Sequence, residues 1–274
     1  MKWFADNSEF YSGRKAKIPD VLVFGGIGVD SENELKLCNM INEIKRKYKC
    51  EHWPLKWNFK DLKKYYENNK KQELYNDLLK RSKEWRENIF NNSIGIDYKI
   101  IISIIESHSK KRDILKSHKA KITEYSFSNW LQRVSLCSKE LKQRSSSIHL
   151  DWPDGNQKNI FDEEYCSAYV NGMSKENKKY FSGSLRGLGF QEYVSFSSTE
   201  YCNLLQMSDL IDGLICEVIK QIQKQNEGSD CFSLLETILP KFRNKNGKII
   251  SYGLIVSPGQ NDILEQLRSH FTIK

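Results

Sequence analysis

The chain has 274 residues, of which 39% are hydrophobic and 12% aromatic. This apolar content is too high for a disordered chain and is enough to bury a core. Its 43 Lys and Arg residues outnumber 35 Asp and Glu, for a formal net charge of +8. The positive excess favours a polyanionic partner such as nucleic acid, or a membrane surface, although on charge alone a soluble protein with many lysines is the better explanation.

Neither a membrane span nor a secretion signal is expected. The longest apolar stretch, residues 100–105, is much shorter than a membrane-spanning helix. Asp6 and Glu9 lie where a signal peptide would need apolar residues. The seven cysteines are scattered without a CxxC pair, which predicts reduced thiols. We therefore expect a cytoplasmic protein with no membrane partner.

The chain opens with two predicted strands. Residues 2–5, of which the last three are apolar, predict a strand ending at Asp6. Residues 7–17 are polar and turn-like. Residues 21–29, VLVFGGIGV, are rich in β-branched and aromatic side chains and predict a fully buried strand.

A capped helix and a helical insertion are expected next. Ser31 is expected to cap a helix, with Glu34 completing a capping box. A lysine-rich stretch with regularly spaced Leu, Tyr and Trp side chains predicts a helical insertion over about residues 57–95. Residues 98–105, YKIIISII, give the strongest strand signal in the sequence, and this strand is expected to end at Glu106.

The rest of the chain alternates helices and strands, which predicts a single α/β domain over residues 1–274. A short strand over residues 147–150 is expected to end at Asp151, before a Pro-Asp-Gly turn. A C-terminal extension of helix, strand and helix is expected over about residues 230–274. The other predicted elements are helices over 130–144, 160–180 and 203–224, a strand over 192–196, and, within the extension, a helix over 231–239, a strand over 248–256 and a helix over 260–271.

Three predicted strands end in an acid: Asp6, Glu106 and Asp151. Functional groups collect at the carboxyl ends of strands in an α/β sheet, so these acids converge if their strands are neighbours. The long amphipathic helix adds Asp209 at the rim of its apolar face and Asp212 within it. Carboxylates packed together repel unless a cation compensates, and Mg²⁺ or Mn²⁺ suits all-oxygen ligands. Taken singly, each acid is explained better by a turn or a cap.

Four ordered stretches carry a family resemblance: FADNSE (residues 4–9), VFGGIGVD (23–30), PLKWNFKDL (54–62) and NLLQMSDLIDG (203–213). Together they resemble the family catalogued as domain of unknown function 3800, whose members are similar in fold to ribonuclease H-like nucleases. The resemblance covers most of the chain, and the order of the landmarks is more specific than any one motif. It implies a ribonuclease H-like mixed central sheet flanked by helices, whose first strand delivers an aspartate to metal ions.

The resemblance also implies roles for individual residues. Asp6 matches the first acid, Asp151 the strand acid before the turn and Asp209 the helix acid, whereas Glu106 corresponds by position only. Lys56 matches a lysine element that would contact phosphate or orient the attacking water. The implied function is a nuclease that hydrolyses phosphodiester bonds of DNA or RNA, with Mg²⁺ or Mn²⁺ bound by the four acids.

The sequence departs from the family pattern at three landmarks, mildly at Ser208, which replaces alanine before Asp209. The opening reads Asp-Asn-Ser-Glu where the family has Asp-Glu-Ser-Gly, and Pro54 stands where the family often has glutamate. Asp61 or Glu9 would substitute for the missing carboxylate. The alternative is a catalytically silent nucleic-acid-binding or interaction protein on the same scaffold. A role in phage defence or in a mobile element fits the settings in which such family members occur.

A basic segment follows Glu106 directly. Residues 108–121, HSKKRDILKSHKAK, contain six basic residues and one acid. Such a segment would track a phosphate backbone, and a solvated helix or loop face explains it equally well. The predicted nucleic-acid-binding residues are Lys110, Lys111, Arg112, Lys116 and Lys119.

Overall fold

A mixed six-stranded sheet forms the centre of the protein in the computed structural model, which describes residues 1–11, 19–106, 119–153, 158–172, 174–175, 178–179, 183–226, 228–257 and 262–272. The strands of these residues are β1 (Lys2–Phe10), β2 (Val21–Val29), β3 (Lys99–Glu106), β4 (Ser146–Asp151), β5 (Ser174–Lys175), β6 (Lys178–Lys179), β7 (Phe190–Ser197) and β8 (Leu254–Ser257). The sheet order is β7-β4-β1-β2-β3-β8, and β5 pairs with β6 in a separate hairpin.

Helices cover both faces of this sheet. The described α-helices are α1 (Ser31–Lys47), α2 (Lys63–Asn68), α3 (Gln72–Lys80), α4 (Ser82–Ser93), α5 (Lys119–Glu140), α6 (Lys158–Asn171), α7 (Asn203–Gln223), α8 (Cys231–Ile238) and α9 (Asp262–Arg268). The predicted α/β class, with a mixed sheet flanked by helices, is confirmed.

Because of the strand directions, the carboxyl ends of three strands lie at the same end of the sheet. Strands β1, β2 and β3 form an antiparallel meander. Strand β4 runs parallel to β1, and β7 runs parallel to β4. Strand β8 runs parallel to β3 at the opposite edge. The carboxyl ends of β1, β4 and β7 therefore point the same way on neighbouring strands.

The two faces of the sheet have separate cores. One face, which includes Phe4 and Asp6 of β1, lies under α7 and joins a core shared with α1, α8 and the helices of the insertion; we call it the α7 face. The other face, which includes Trp3 and Ala5, packs against α5 and α6; we call it the α5 face. Because side chains alternate along a strand, each residue of β1 belongs to one of these two cores.

The first strand is longer than the sequence predicts. It continues to Phe10, which pairs with Val21, so Asp6 lies in the middle of β1 rather than at its end. The turn expected from Asn7 is therefore wrong for residues 7–10, and residues 12–18 lie outside the described part of the chain. The polar residues of this stretch line an open cavity, which explains their polarity without a turn.

The cap of α1 also differs from the prediction. Asp30, rather than Ser31, is the capping residue, because its Oδ1 accepts the backbone N–H of Asn33 at 2.8 Å. Glu34 forms no capping box with Ser31 and pairs instead with Lys2 at 2.8 Å. Aspartate is as good an N-cap as serine, and it is one residue closer to the strand.

Two further elements are shorter than predicted. Helix α6 ends at Asn171 rather than at residue 180, because Gly172 adopts a left-handed conformation with φ of 76°. A glycine in this conformation is a common helix stop. The strand expected over residues 248–256 is reduced to β8, because the chain turns at Ser251, with φ of 73°.

The insertion and the C-terminal extension both contribute to the α7-face core. Trp85 of α4 and Phe271, just after α9, are buried in that core, and β8 adds an edge strand beside β3. No helix in the described ranges has the length and apolar character needed to cross a membrane. All seven cysteines are free thiols.

Candidate metal centre

Asp6 is buried beneath α7 although it carries a carboxyl group. Only 6% of the residue is exposed. Its Oδ1 accepts the backbone N–H of Asn7 at 2.7 Å, and its Oδ2 accepts the hydroxyl of Thr199 at 3.2 Å. Two hydrogen bonds only partly compensate the cost of burying a carboxylate, so this group needs a proton or a cation.

Asp151 lies beside Asp6 on the neighbouring strand. Ala5 pairs with Leu150, so the two aspartates are the next residues along parallel strands, whose backbones are about 5 Å apart. Thr199, just after β7, joins them. Its N–H donates to Asp151 Oδ1 at 2.7 Å, and its hydroxyl donates to Asp6. The chain after β7 thereby holds both carboxylates side by side.

Helix α7 lies close enough to the sheet to add a third acid. The hydroxyl of Ser208 donates to the carbonyl of Phe4 at 2.8 Å. Gly26 permits this approach, because a Cβ at that position would overlap both the Ser208 side chain and the Phe4 carbonyl. Asp209 is the next residue of α7, and its carboxylate acts electrostatically on Asp6.

The loop that carries Lys56 (residues 54–58, the Lys56 loop) is bonded to α7 at two points. The N–H of Leu55 donates to Gln206 Oε1 at 3.1 Å, and the N–H of Trp57 donates to Asp209 Oδ2 at 2.6 Å. Since Gln206 and Asp209 are three residues apart, they lie on one side of the helix. The loop therefore presents Lys56 directly beside the acids.

The helical insertion supports this loop. Arg86 of α4 donates to the carbonyl of Trp57, and its guanidinium lies over the Trp57 ring at 4.4 Å from the centroid. On the other side, Trp57 packs against Gly213 of α7, where a Cβ would overlap the Trp57 side chain. Trp57 is thus clamped between α4 and α7, and the position of Lys56 depends on both helices.

The acids and the lysine are electrostatically coupled. Burial, followed by the Asp151 and Asp209 carboxylates, raises the pKa of Asp6 well above its usual value. Burial raises the pKa of Asp209 to about 6, although Lys56 and the Trp57 N–H act in the opposite direction. Burial alone would lower the pKa of Lys56, but the surrounding carboxylates outweigh it and raise that pKa. One lysine does not neutralise three carboxylates, so the site attracts further cations.

An open cavity of about 580 Å³ exposes these groups. Asp6, Asp151, Asp209 and Lys56 all line it. Its volume falls within the usual range for small-ligand sites. Asp61, which is one of the expected substitutes for the missing glutamate, lies in the same wall. The remaining polar lining includes Asn7, Ser8, Glu9, Asn58, Thr123, Glu217 and Lys220.

Glu106 lies away from this cluster. Asp6 pairs with Gly25, and Gly25 with Ile102, whereas Glu106 pairs with Val21. Glu106 is therefore four residues, roughly 13 Å, farther along the sheet and two strands across. It does not line the cavity. Three of the four predicted acids therefore lie together with Lys56. Glu106 does not join them, because β3 extends beyond the level of Asp6 and Glu106 is its last residue.

The predicted nucleic-acid-binding segment lies mostly outside the described residues. Lys110, Lys111, Arg112 and Lys116 all belong to residues 107–118, and Lys119 is the first residue of α5. Within the described part of the chain, α7 contributes a further cation to the cavity, Lys220, which pairs with Glu217 at 3.0 Å.

The donor set suits a hard divalent cation. Asp151 and Asp209 each use one carboxylate oxygen for a backbone N–H, which leaves their second oxygen for an ion. Oxygen ligands of this kind are those that Mg²⁺ and Mn²⁺ prefer. As their side chains stand, no three His, Cys, Asp or Glu residues of the described ranges enclose a metal position. Ion binding therefore requires the carboxylates to turn toward one another.

Several residues of the site are not predicted from the sequence. Thr199 and Arg86 act through tertiary contacts, and no local pattern marks them. Gln206 accepts a hydrogen bond from the Lys56 loop. It lies within the stretch NLLQMSDLIDG that carries the family resemblance, so the sequence did mark this residue as a candidate. Its spacing from Asp209 is the pattern that would have indicated a shared function.

Comparison with known proteins leaves the function to be argued from this cavity. No protein-family model matches the sequence, and no curated protein or solved structure matches it either.

Proposed function

We propose that the chain is a ribonuclease H-like, Mg²⁺- or Mn²⁺-dependent nuclease that hydrolyses phosphodiester bonds of DNA or RNA. One observation carries the proposal: Asp6, Asp151 and Asp209, which are remote in sequence, line one open cavity together with Lys56. The mixed sheet supports the fold assignment, because its first strand carries the central aspartate. The formal charge of +8 favours a polyanionic substrate.

The residues of the chain have separate tasks in this proposal. When bound, the divalent ions supply an activated water and stabilise the leaving oxygen. Asp6, Asp151 and Asp209 hold the ions, and Thr199 keeps the first two carboxylates side by side. Lys56 forms no direct salt bridge with any described residue, so its ammonium group can bind a substrate phosphate.

The cavity also offers aromatic surface beside the acids. Trp152 follows Asp151, lines the cavity and is 58% exposed. Its ring packs edge-on against Phe196, which fixes its orientation. An exposed aromatic ring next to a phosphodiester site is suited to stacking an unpaired base.

The test is cleavage of labelled nucleic acids. Purified protein is incubated with single- and double-stranded DNA and RNA in Mg²⁺, in Mn²⁺ and in EDTA, beside the variants Asp6→Asn and Asp209→Asn. We expect cleavage that EDTA abolishes and that each substitution lowers by about a hundredfold or more, because ligand loss costs at least as much as loss of an outer-shell partner. Asp77→Asn is the matched control, since Asp77 is an exposed acid of α3 that pairs with Arg81.

Two results would reject the proposal. Activity that persists in EDTA would exclude the divalent-ion mechanism. Activity that is equal in the wild type, Asp6→Asn and Asp209→Asn would exclude this cavity as the site of cleavage.

Two observations favour a second function, a catalytically silent nucleic-acid-binding protein on the same scaffold. As the side chains stand, no three ligand residues of the described ranges surround a metal position, and Pro54 occupies the place of a family glutamate. Such a protein would bind nucleic acid with a steep salt dependence and would take up no divalent ion. Calorimetric titration with Mn²⁺, combined with binding measured from 50 to 200 mM salt, distinguishes the two functions.

A further inference from the structure

Asp212 is a buried acid that the three-acid site does not use. The residue is 0% exposed, and it lies on α7 one turn after Asp209. Neither of its carboxylate oxygens has a hydrogen-bond partner of normal geometry in the described part of the chain. A buried carboxyl group without partners is costly, and native proteins keep such a group only for a reason.

The surroundings of Asp212 are acidic rather than basic. Burial, followed by the Asp6 and Asp209 carboxylates, raises its pKa well above the usual value, and only the backbone N–H of Gly25 acts in the other direction. Gly25 is the strand partner of Asp6, so Asp212 lies at the level of Asp6 in the layer between α7 and the sheet. No lysine or arginine is among the described groups that shift its pKa.

We propose that Asp212 is the fourth carboxylate of the divalent-cation centre. It takes the role that the sequence predicts for Glu106. The inference rests on the metal centre of the proposed function and adds a ligand to it. A cation bound between Asp6 and Asp209 would satisfy the unpartnered oxygens of Asp212 and remove the repulsion among the three acids.

The sheet register favours Asp212 over Glu106 for this position. The Asp6 and Asp209 carboxylates, which line the cavity, both act electrostatically on Asp212, which is buried behind the cavity wall. Glu106 is not among the described groups that act on Asp212, and it pairs with Val21 at a more distant level of the sheet. Helical spacing also brings positions i and i+3 to one side of α7, so both aspartates reach one ion.

The test is calorimetric titration of the full chain with Mn²⁺ at one pH. The wild type is compared with Asp212→Asn, Asp209→Asn and Glu106→Gln. We expect Asp212→Asn to lower the affinity roughly tenfold or more, or to remove one of two bound ions, as Asp209→Asn does. Glu106→Gln should bind as the wild type does. Asparagine has the shape of a protonated aspartate, so the fold is retained and metal-free thermal unfolding checks this directly.

The outcomes separate this inference from the proposed function. If the wild type binds Mn²⁺ and Asp212→Asn binds it equally well, Asp212 is a buried neutral acid and the inference is wrong, while the metal centre stands. If the wild type takes up no ion, the metal centre itself is rejected. Should Asp212→Asn fail to fold, Mn²⁺-soaked wild-type crystals decide the question. An Asp212 oxygen about 2.2 Å from an ion supports the inference, and one beyond about 4 Å overturns it.

Discussion

The α7 face and the α5 face of the central sheet differ in what they bury. The α7 face buries Asp6 of β1, Asp212 and Gln206 of α7 itself, and Thr199. The α5 face buries a cluster of aromatic rings in edge-on and stacked contact, two of them on α5 itself. Its members are Trp3, Phe24, Phe127, Trp130 and Phe161.

This difference indicates that one face of the sheet stabilises the fold and the other holds the charged site. Buried acids that repel one another reduce stability, whereas well-packed aromatic rings increase it. Strand β1 alternates between the two environments, with Trp3 and Ala5 on one side and Phe4 and Asp6 on the other. The α5 face therefore supplies stability that lets the α7 face hold a charged site.

Removing a ring from the α5 face should have the largest effect on stability. Trp130 is 0% exposed, packs against three aromatic side chains and donates from Nε1 to the carbonyl of Ile101 at 3.0 Å. Trp130→Ala should lower the free energy of unfolding by about 3–5 kcal/mol, measured by urea denaturation. Trp130→Phe should lose less, because most of the ring volume remains. A loss below about 1 kcal/mol for Trp130→Ala would refute the stabilising role of this face.

Changing the α7 face should have the opposite effect on the metal-free protein. Asp6→Asn removes a repelling charge, so the metal-free variant should unfold at the same temperature as the wild type or higher. The wild type should gain about 2.7 kcal/mol of stability at a Mg²⁺ concentration of 100 Kd, and the variant should lose that gain. Thermal unfolding with and without Mg²⁺ measures both effects. If Mg²⁺ stabilises the wild type and Asp6→Asn equally, Asp6 does not bind the metal.

The metal-free protein should lose stability as the pH rises. Burial raises the pKa of Asp209 in the folded protein to about 6 from a usual value of 3.8. Between these values the unfolded chain releases a proton that the folded protein keeps, so stability falls from about pH 4 to about pH 6. Asp6 and Asp212, whose pKa values are also raised, add to the fall and extend it to higher pH.

Thermal unfolding in EDTA from pH 4 to pH 7 measures this decline. One group contributes at most about 1.4 kcal/mol per pH unit, and the partial exposure of Asp209 reduces its share. Asp209→Asn should make the decline shallower. Identical slopes in the variant and the wild type would contradict the assignment of the titration to this acid.

The smallest effect is expected at the contact between α7 and the Lys56 loop. Gly213→Ala places a methyl group against Trp57, so the loop must move away from the helix. Alanine favours the helix by about 1 kcal/mol, but its overlap with the Trp57 Cβ and Cγ costs about 1–3 kcal/mol, so stability should fall by about 1–2 kcal/mol. Mn²⁺ affinity should fall by less than about tenfold, because Trp57 donates to the ligand Asp209. An unchanged affinity would mean that the loop does not position the site.

Much of the sheet could be predicted from the sequence because two of its inner strands, β2 and β3, are almost entirely apolar. Residues 21–29 and 98–105 contain little except β-branched, aromatic and small side chains, and both form strands close to these bounds. The second half of β1 could not be predicted in this way. Its residues Asn7, Ser8 and Glu9 face a cavity that exists only in the folded protein, and their polarity has the appearance of a turn in the sequence.

The candidate site could be predicted in part for a related reason. Asp6, Asp151 and Asp209 each interrupt an apolar pattern, so each is visible in the sequence. Glu106 interrupts its strand in the same way, and only the register separates it from the other three. Thr199 has no such signal, since its importance comes from bonds to acids almost 50 and 193 residues away.

The most direct test of the charged α7 face is the location of bound Mn²⁺ by anomalous diffraction from a soaked crystal. We expect one or two ions in the cavity, with carboxylate oxygens of Asp6, Asp151 and Asp209 at about 2.2 Å. A crystal in which the acids stay apart, each bonded only to its protein neighbours with no ion between them, would contradict it.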